Sequence, residues 1–167
     1  FDMIGLPYTT CDQLTSAITM NKGYTKAVVD DIPELHIAKS IQLFENTTKN
    51  IARIEEELTL PLFIKPNNGG STIGMSKLKI WEKLLEALDK AFAEDTQVLV
   101  EEFISGRGFS IGVFRGKGEI TVLPATEIVS SKEVFDYEAK YIAGITEEID
   151  PGRMSNEEFA GVGRIVT

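Results

Sequence analysis

The chain has 167 residues, of which 43% are apolar and 26% are charged, and its formal net charge at pH 7 is -9. This length and composition are typical of a globular chain that buries a core in one domain or in two small subdomains. The acidic balance argues against nucleic acid as a partner, because a phosphate backbone needs a basic protein face. A nucleotide stays open as a ligand, since it needs only a local cluster of lysines.

Cysteine content and hydropathy indicate the compartment. Cys11 is the only cysteine and cannot form an internal disulfide, so we expect a reducing environment. No apolar run approaches the roughly 18 to 20 residues of a membrane span, and no signal-peptide pattern is present. We therefore expect a cytoplasmic protein with no membrane partner. Because the chain opens on Phe1 and closes within a predicted helix, we also expect it to be a piece of something longer.

Three helices and one weak strand are predicted in the first 58 residues. One of three polar residues, Thr9, Thr10 or Asp12, caps the first predicted helix, and a second helical segment covers residues 24–29. Residues 35–40 form a weakly predicted strand. From about residue 46 the apolar side chains recur at helical spacing as far as residue 58, which predicts the third helix.

The most distinctive stretch is residues 60–75, which read Leu-Pro-Leu-Phe-Ile-Lys-Pro-Asn-Asn-Gly-Gly-Ser-Thr-Ile-Gly-Met. An apolar strand ends at Lys65, and a turn rich in Gly, Asn, Ser and Thr leads into a second strand. Glycines allow backbone N–H groups to converge on an anion, and the lysine adds a full positive charge, so this stretch predicts a phosphate-binding loop. The alternative is an ordinary hairpin turn, because the loop matches neither the Walker pattern nor the dinucleotide fingerprint.

The second half of the chain alternates one strong helix with extended segments. The helix covers residues 81–92, and its predicted core stripe is Trp81, Leu84, Leu85, Leu88 and Phe92.

Extended segments follow this helix. Residues 98–100 form a buried strand that continues into acidic residues, and strands near 109–113 and 120–129 form a hairpin. Ser155 and Glu158 form a capping box at the start of a last helix. These elements predict an α+β fold with an antiparallel sheet.

Four segments in this order resemble the ATP-grasp ligases, and specifically the D-alanine–D-alanine ligase family. They are the loop at 64–77, residues 20–26 with Asn-Lys and Thr-Lys pairs, the stretch 98–106, and residues 135–141, which read Phe-Asp-Tyr-Glu-Ala-Lys-Tyr. The last segment is the most specific, although on its own a charged run is usually a solvated turn. The likeness covers nearly the whole chain.

The resemblance implies a division of the chain into ATP-grasp parts. Residues 1–22 are similar to the tail of an N-terminal domain with its linker. Residues 23–104 are similar to the small central subdomain, with its antiparallel sheet and helices. Residues 105–167 are similar to the start of the large C-terminal subdomain, including its mobile loop.

The resemblance also implies which residues bind ATP. Lys22 and Lys65 would neutralise phosphates, and the backbone and hydroxyl groups of Gly70, Ser71 and Thr72 would close over them. Glu101 and the backbone of residues 102–104, the hinge, would meet the edge of adenine. The side chains of Phe103 and Ile104 would cover the two faces of the ring. For those two side chains ordinary core packing is the alternative. The hinge residues concerned are Glu102, Phe103 and Ile104.

Three residues are implied in the chemistry. Lys140 would reach the transferred phosphate, and Tyr141, hydrogen-bonded to Ser71, would orient the substrate and exclude water. The implied reaction phosphorylates one D-alanine with ATP and lets the amine of a second D-alanine attack the acyl phosphate. Its product serves peptidoglycan synthesis, and thereby cell-wall biogenesis and cell shape. The implied full-length enzyme is a homodimer.

Mg²⁺ is implied as a cofactor, but this chain offers no convincing set of ligands. Mg²⁺ needs oxygen ligands, usually carboxylates. Glu101, Glu102 and Glu127 are the nearby candidates, and we assign none of them. The metal ligands are expected in a C-terminal part beyond this chain, so the chain alone is expected to be inactive.

Two positions depart from the family pattern. Gly108 stands where the family has a glutamate that binds the ribose hydroxyls. Because glycine lacks that carboxylate, ATP binding should be weaker by about 1 to 3 kcal/mol. Asn21 stands where the family has aspartate, which we expect to matter little. Two alternatives therefore stay open. One is a catalytically silent nucleotide-binding module, and the other is an ATP-grasp carboxylate–amine ligase with a different acceptor.

Overall fold

The computed structural model describes residues 1–130, 141–142 and 144–167. The chain divides into two compact units, Phe1–Phe103 and Ile104–Thr167, which we call unit 1 and unit 2. The division falls one residue before the predicted end of the small subdomain at residue 104. The predicted separation of residues 1–22 from the rest of unit 1 stays a prediction.

Unit 1 contains four α-helices and four strands. The helices are α1 (Gln13–Met20), α2 (Lys22–Val29), α3 (Thr48–Glu57) and α4 (Leu84–Phe92). The strands are β1 (Ser40–Leu43), β2 (Leu62–Pro66), β3 (Ser76–Leu78) and β4 (Val98–Glu102). Two 3₁₀ turns, Asp2–Ile4 and Trp81–Lys83, complete the unit, the second leading directly into α4.

Polar caps fix where the first three helices begin. The side chains of Asp12, Asn21 and Thr47 each accept a hydrogen bond from a backbone N–H inside the first turn of α1, α2 and α3, respectively. Such bonds satisfy donors that have no partner within the helix. Of the three candidate caps Thr9, Thr10 and Asp12, the structure selects Asp12. Asn21, which the sequence predicted to interrupt the helices, ends α1 and starts α2.

The four strands of unit 1 form an antiparallel sheet in the order β1-β4-β2-β3. Side chains alternate between the two faces of a strand, so Ile64 and Val100, which are paired, point to the same side. That side carries the core together with residues of α3 and α4. Its fully buried members are Ile54, Leu62, Ile64, Leu88, Ala91, Val98 and Val100.

Two predictions about unit 1 are wrong. The strand predicted at residues 35–40 lies instead at Ser40–Leu43, because Ile41 and Leu43 are the alternating side chains that reach the core. Leu85, predicted in the core stripe, is 53% exposed, because Leu84 and Leu88 already define the buried side of α4 and Leu85 lies on its flank.

The described residues of unit 2 form an antiparallel sheet and one full helix. The strands β5 (Gly108–Gly116), β6 (Glu119–Ser130) and β7 (Thr146–Ile149) lie in that order, and α5 (Asn156–Val166) contacts β6. The predicted hairpin and the Ser155–Glu158 capping box are confirmed. The sequence did not predict strand β7, because β7 has no alternating apolar pattern. Its hydrogen bonds to β6 define it as a strand. Within the described ranges, no helix has the length and apolar character that crossing a membrane requires.

Truncation of Leu88 tests the position of the core. Leu88 is fully buried, whereas Leu85, three residues earlier on the same helix, is half exposed. Leu88→Ala should lower the unfolding free energy of unit 1 by about 2 to 5 kcal/mol, since it removes apolar contacts and leaves a cavity. Leu85→Ala is the matched control, with an expected change within about 0.5 kcal/mol. Trp81, the only tryptophan, packs on this core and reports urea unfolding by fluorescence. Equal losses for the two variants would contradict this core assignment.

Candidate functional site

The sheet face opposite the core carries the charged residues of the site. In β2 and β4 the residues between the core positions are Phe63 and Lys65, and Leu99 and Glu101, respectively. Alternation along the strands therefore places Lys65 and Glu101 on one face, at diagonal positions of neighbouring strands. The strand end before the predicted phosphate loop and the predicted adenine hinge thus lie side by side.

Glu101 lies between two lysines. Its carboxylate forms an ion pair with Lys65 through Oε1, and with Lys26 through Oε2 at 3.1 Å. Lys26 also donates to the carbonyl oxygen of Ala38 at 2.6 Å, which fixes its position at the sheet edge. The three charged side chains are 15% to 22% exposed. Two ammonium groups around one carboxylate leave a local charge of +1, which favours an anionic ligand in an otherwise acidic chain.

The loop predicted to bind phosphate, residues 65–74, which we call the phosphate loop, holds an unusual backbone conformation. Ser71 and Thr72 have positive φ angles of 54° and 59°, and Gly74 has a φ of 72°. A β-branched residue rarely adopts this left-handed conformation, and such strain is concentrated at ligand-binding turns. Gly74 also has no room for a side chain, because a Cβ there would lie 2.8 Å from Glu94 Cγ and 2.9 Å from Pro66 Cγ. The turn therefore depends both on left-handed backbone conformations and on the absence of a side chain at Gly74.

Lys22 is bound to the base of the phosphate loop. Its Nζ donates to the carbonyl oxygens of Pro66 at 3.0 Å, Asn67 at 3.3 Å and Gly69 at 2.8 Å. The backbone N–H of Lys22 donates to the Asn67 carbonyl as well, at 3.1 Å. The structure thus brings together two predicted phosphate-binding elements that are more than 40 residues apart in sequence.

Buried amide side chains anchor the loop. Asn67 is fully buried and Asn21 is 6% exposed. Asn67 Nδ2 donates to Gln97 Oε1 at 2.9 Å, and Asn21 Nδ2 donates to Asn68 Oδ1 at 2.8 Å. Buried amides must be paired to avoid a large desolvation cost, so these bonds fix the loop's first residues. We call this set the amide network; its members are Asn21, Gln42, Asn67, Asn68 and Gln97.

Asp95 ties the amide network to the turn after α4. Its carboxylate accepts from the backbone N–H of Asn68 at 2.6 Å and of Gln97 at 3.1 Å. Burial opposes ionisation of this carboxyl, but hydrogen bonds from Asn68, Gln97 and Thr96 together hold the pKa of Asp95 below its ordinary value. The charged form of Asp95 is thus part of the anchor.

The sequence did not identify most of this anchor. Asn67 and Asn68 lay in the predicted loop as turn formers, while Gln97 and Asp95 carried no assigned role. The departure at Asn21 is also more than a mild change: its Oδ1 caps α2 while its Nδ2 donates into the network, and a carboxylate has no such donor. The signal that the sequence offered was the polar run Asp95-Thr96-Gln97 directly before β4.

The hinge residues use part of their hydrogen-bonding capacity within unit 1. The Glu102 N–H donates to the Lys39 carbonyl and the Phe103 N–H donates to the Pro61 carbonyl, each at 3.0 Å. Of the three hinge N–H groups predicted to donate to adenine, those of Glu102 and Phe103 are already used, which leaves the N–H of Ile104. Ile104 is 59% exposed.

The Phe103 ring already has neighbours within the same unit. Its face is covered by the Lys77 ammonium at 3.8 Å from the ring centroid, and it meets the edge of Phe63 at a centroid distance of 5.7 Å. Cation–π contact of this kind stabilises the ring where it lies. A base that stacks on this face must displace Lys77.

The predicted residues of unit 2 have separate outcomes. Tyr141 is described and 60% exposed, whereas Lys140 lies outside the described residues. The hydrogen bond between Tyr141 and Ser71 stays a prediction. Gly108 opens β5, and a Cβ there would meet its nearest neighbour, the carbonyl oxygen of Ile128, at an ordinary 3.6 Å. The backbone therefore accepts a side chain at the position of the missing glutamate.

Unit 2 contains an Arg–Glu cluster that the sequence did not predict. Glu127 is 3% exposed and pairs with Arg153 at 2.8 Å, and Arg107 pairs with Glu158 at 2.5 Å. The hydrogen bond from the Arg153 guanidinium, opposed by burial, lowers the pKa of Glu127. Gly152 must lack a side chain, because a Cβ would lie 2.8 Å from the Glu127 backbone nitrogen. This cluster stabilises the turn before α5.

The described residues do not fit Mg²⁺. No group of three or more His, Cys, Asp or Glu in the described part of the chain is placed to hold a metal. The three carboxylates considered above already serve other partners, since Glu101 binds two lysines, Glu127 binds Arg153, and Glu102 accepts from the Thr59 N–H at 2.8 Å. A metal would have to compete with each of these contacts.

Comparison with known proteins gives one consistent result. The family model described as the D-ala D-ala ligase C-terminus matches residues 30–165. A D-alanine–D-alanine ligase from Flavobacterium psychrophilum is 44% identical over 160 residues, which are 95% of this chain and 48% of that relative. The chain spans about half the length of the curated relatives it matches.

Solved structures share the fold. The D-Ala:D-Ser ligase VanG from Enterococcus faecalis has a TM-score of 0.86 at 34% identity, covering 99% of this chain and 49% of that one. D-alanyl-alanine synthetase A from Vibrio cholerae has a TM-score of 0.84 over 99% of this chain and 51% of that one; at 22% identity it shows the fold alone. The predicted α+β ATP-grasp architecture is confirmed.

The ionisation of Asp95 predicts an acid-sensitive anchor. A carboxyl whose folded pKa is depressed contributes stability above its unfolded pKa of about 3.9 and loses that contribution as pH falls through the folded pKa. Asp95→Asn should therefore lower the unfolding free energy of unit 1 at pH 7. The difference in unfolding free energy between this variant and the unsubstituted chain should become smaller below about pH 4. Urea unfolding followed by Trp81 fluorescence measures both, with exposed Glu94→Gln as the control. A difference in unfolding free energy that stays constant down to about pH 2.5, roughly 1.4 units below the ordinary Asp pKa, would contradict this role.

Proposed function

Because the chain belongs to the D-alanine–D-alanine ligase family, we propose that it forms the nucleotide-binding part of an ATP-dependent ligase that joins two D-alanines. The activity of the whole ligase, its substrates and its partners are part of this proposal, since the chain covers 48% of a relative's length.

One observation carries the proposal. The contact between Lys65 and Glu101 places the end of the strand that precedes the phosphate loop next to the acidic hinge, on the sheet face away from the core. A nucleotide needs its phosphate-binding and base-binding groups on one surface. The same residues on opposite sides of the sheet would serve no common ligand.

Residues of unit 1, together with Ile104, the next residue along the chain, bind and orient ATP in this proposal. Lys65 and Lys22 neutralise the phosphates, and the turn at Gly70, Ser71 and Thr72 offers backbone and hydroxyl donors to them. Glu101 keeps acceptor capacity for the base, because an ionised carboxylate has about four lone-pair sites and two lysines use two of them. The Ile104 backbone supplies a donor to the base.

The reaction is a phosphoryl transfer followed by an acyl transfer. The carboxylate of the first D-alanine attacks the terminal phosphorus of ATP, and the bond to ADP breaks. The amine of the second D-alanine then attacks the acyl phosphate, which releases inorganic phosphate and a proton and leaves the dipeptide. Positioning and charge neutralisation lower the barrier, with no covalent intermediate on the protein.

Further members of the site are proposed from the resemblance. Lys140 neutralises the transferred phosphate, while Ser71 and Tyr141 orient the substrate and exclude water. Mg²⁺ screens the phosphates when bound, with ligands from a part of the ligase beyond these residues. The enzyme serves cell-wall and cell-shape maintenance as a cytoplasmic homodimer.

A second acceptor is favoured by one specific comparison. The solved relative at 34% identity acts on D-serine by its name, D-Ala:D-Ser ligase. A carboxylate–amine ligase with another acceptor amine would use the same nucleotide site. The other alternative, a catalytically silent nucleotide-binding module, draws support from Gly108 and from the carboxylates that do not fit a metal.

Removal of the Lys65 charge tests the phosphate site. In a full-length ligase carrying these residues, Lys65→Ala should weaken Mg-ATP binding by about tenfold or more, because a charge-assisted contact to phosphate is lost. Isothermal titration measures this change. Lys83→Ala is the matched control, since that side chain is 63% exposed on the helical side of unit 1. An unchanged affinity for Lys65→Ala removes this residue from the phosphate site.

The stereochemistry of the substrate tests the reaction. ATP-dependent phosphate release by the full-length ligase should require D-alanine and should not occur with L-alanine. D-serine as the second amine distinguishes the alternative acceptor, because a mixed dipeptide would then form in preference to D-alanyl-D-alanine. Equal rates with D- and L-alanine would reject the proposed substrate class.

A further inference from the structure

Gln97 is a point of convergence within unit 1. Its side-chain oxygen Oε1 accepts from Gln42 Nε2 at 2.8 Å, Asn67 Nδ2 at 2.9 Å and Asn21 Nδ2 at 3.3 Å. The donors come from β1, from the start of the phosphate loop, and from the junction of α1 and α2. One acceptor therefore serves three segments that are distant in sequence, and Asn67 and Asn21 among the donors are buried.

The contacts of Asn67 extend this convergence to the backbone. Asn67 Oδ1 accepts from the Gly23 N–H at 2.8 Å, and the Asn67 carbonyl accepts from the Lys22 N–H at 3.1 Å. In return, the Asn67 N–H donates to the Gln97 carbonyl at 2.9 Å. The side chain and the backbone of Asn67 thus join the first turn of α2 to the residue that begins β4.

Close approach of the backbone is part of this arrangement. A Cβ at Gly23 would lie 2.3 Å from Gln42 Oε1 and 3.4 Å from Asn67 Oδ1. Glycine at this position lets the first turn of α2 come within hydrogen-bonding distance of the loop. The Lys22 side chain then spans the same gap and contacts three loop carbonyls.

We propose that Gln97 is a positioning residue for the nucleotide site, because its side-chain oxygen couples the Lys22–Gly23 turn to the Asn67–Asn68 loop base. Through this coupling the positive charge of Lys22, whose ammonium is held by three loop carbonyls, and the donors of the phosphate loop face the triphosphate as one preformed unit. Preformed donors lose less conformational freedom when a ligand binds, which raises affinity. That the ligand is a nucleotide rests on the proposed function, whereas the coupling is a property of unit 1 itself.

The role of Gln97 is that of an acceptor, and this distinguishes it from its neighbours. If Gln97 Oε1 is removed, the buried side-chain amides of Asn67 and Asn21 each lose one hydrogen-bond acceptor. If the Gln42 donor is removed, Gln97 Oε1 still accepts from Asn67 and Asn21. Gln97→Leu should therefore disturb the loop far more than Gln42→Leu. Gln97→Glu keeps the acceptor at the same side-chain length and should preserve the arrangement.

Backbone hydrogen exchange of the 167-residue chain without nucleotide is the first measurement. Exchange should accelerate by about tenfold at four amides, those of Lys22, Gly23, Asn67 and Asn68, in Gln97→Leu. In Gln97→Glu and Gln42→Leu the change should stay below about threefold, as bonds with other partners remain. Amides of α3 and of the Leu62–Ile64 strand segment report whether the fold is intact.

Mg-ATP titration of the full-length ligase is the second measurement. Gln97→Leu should raise the dissociation constant by about tenfold, and Gln97→Glu should restore it to within about threefold of the unsubstituted value. If the unsubstituted ligase does not bind Mg-ATP, the proposed function fails while the exchange result still decides the coupling.

Three results would overturn the proposal. The first is unchanged exchange at the loop amides in a folded Gln97→Leu chain, and the second is acceleration at Asn67 and Asn68 without acceleration at Lys22 and Gly23. The third is a Gln97→Glu variant as disturbed as Gln97→Leu. If the leucine variant does not fold, Gln97→Asn replaces it, since it withdraws the amide by one methylene; unchanged exchange there rejects the coupling.

Discussion

The burial of Asn67 is the constraint on which the site depends. A fully buried amide must satisfy its donors and acceptors inside the protein, and Asn67 does so with Gly23 on one side and Gln97 on the other. These bonds fix where the chain leaves β2. The loop that follows can then hold positive φ angles at Ser71 and Thr72, because its base is already determined by the surrounding structure.

The two faces of the unit 1 sheet divide the work between stability and binding. One face carries Ile64 and Val100 into a core of aliphatic side chains, which stabilises the sheet without polar cost. The other face holds Glu101 between Lys65 and Lys26, an arrangement that adds little to stability but leaves a net positive site in a chain of net charge -9. An acidic protein thereby keeps a local surface for an anion. Because side chains alternate along each strand, the charged residues lie on one face of the sheet and the core residues on the other.

The sequence predicted those parts of the molecule that follow from local chemistry. The polar cap before α1, the helix predicted over 81–92, the strand–loop–strand around Lys65 and the capping box at Ser155 all depend on neighbouring residues. Long-range pairing explains the errors: β1 lies at Ser40 and not at 35 because of its register with β4. The amide network was beyond prediction for the same reason, since Gln97 acquires its role only from residues that folding brings to it.

If the loop at 65–74 and the hinge at 101–104 contact one nucleotide, binding of that nucleotide changes the surroundings of both segments. Backbone amide chemical shifts of the isotopically labelled chain, recorded during titration with ATP, measure these changes. We expect the largest shift changes at Lys22, Gly70 to Thr72 and Ile104, with little change in α3. Saturating changes confined to other surfaces, or none at millimolar ATP, would contradict this expectation.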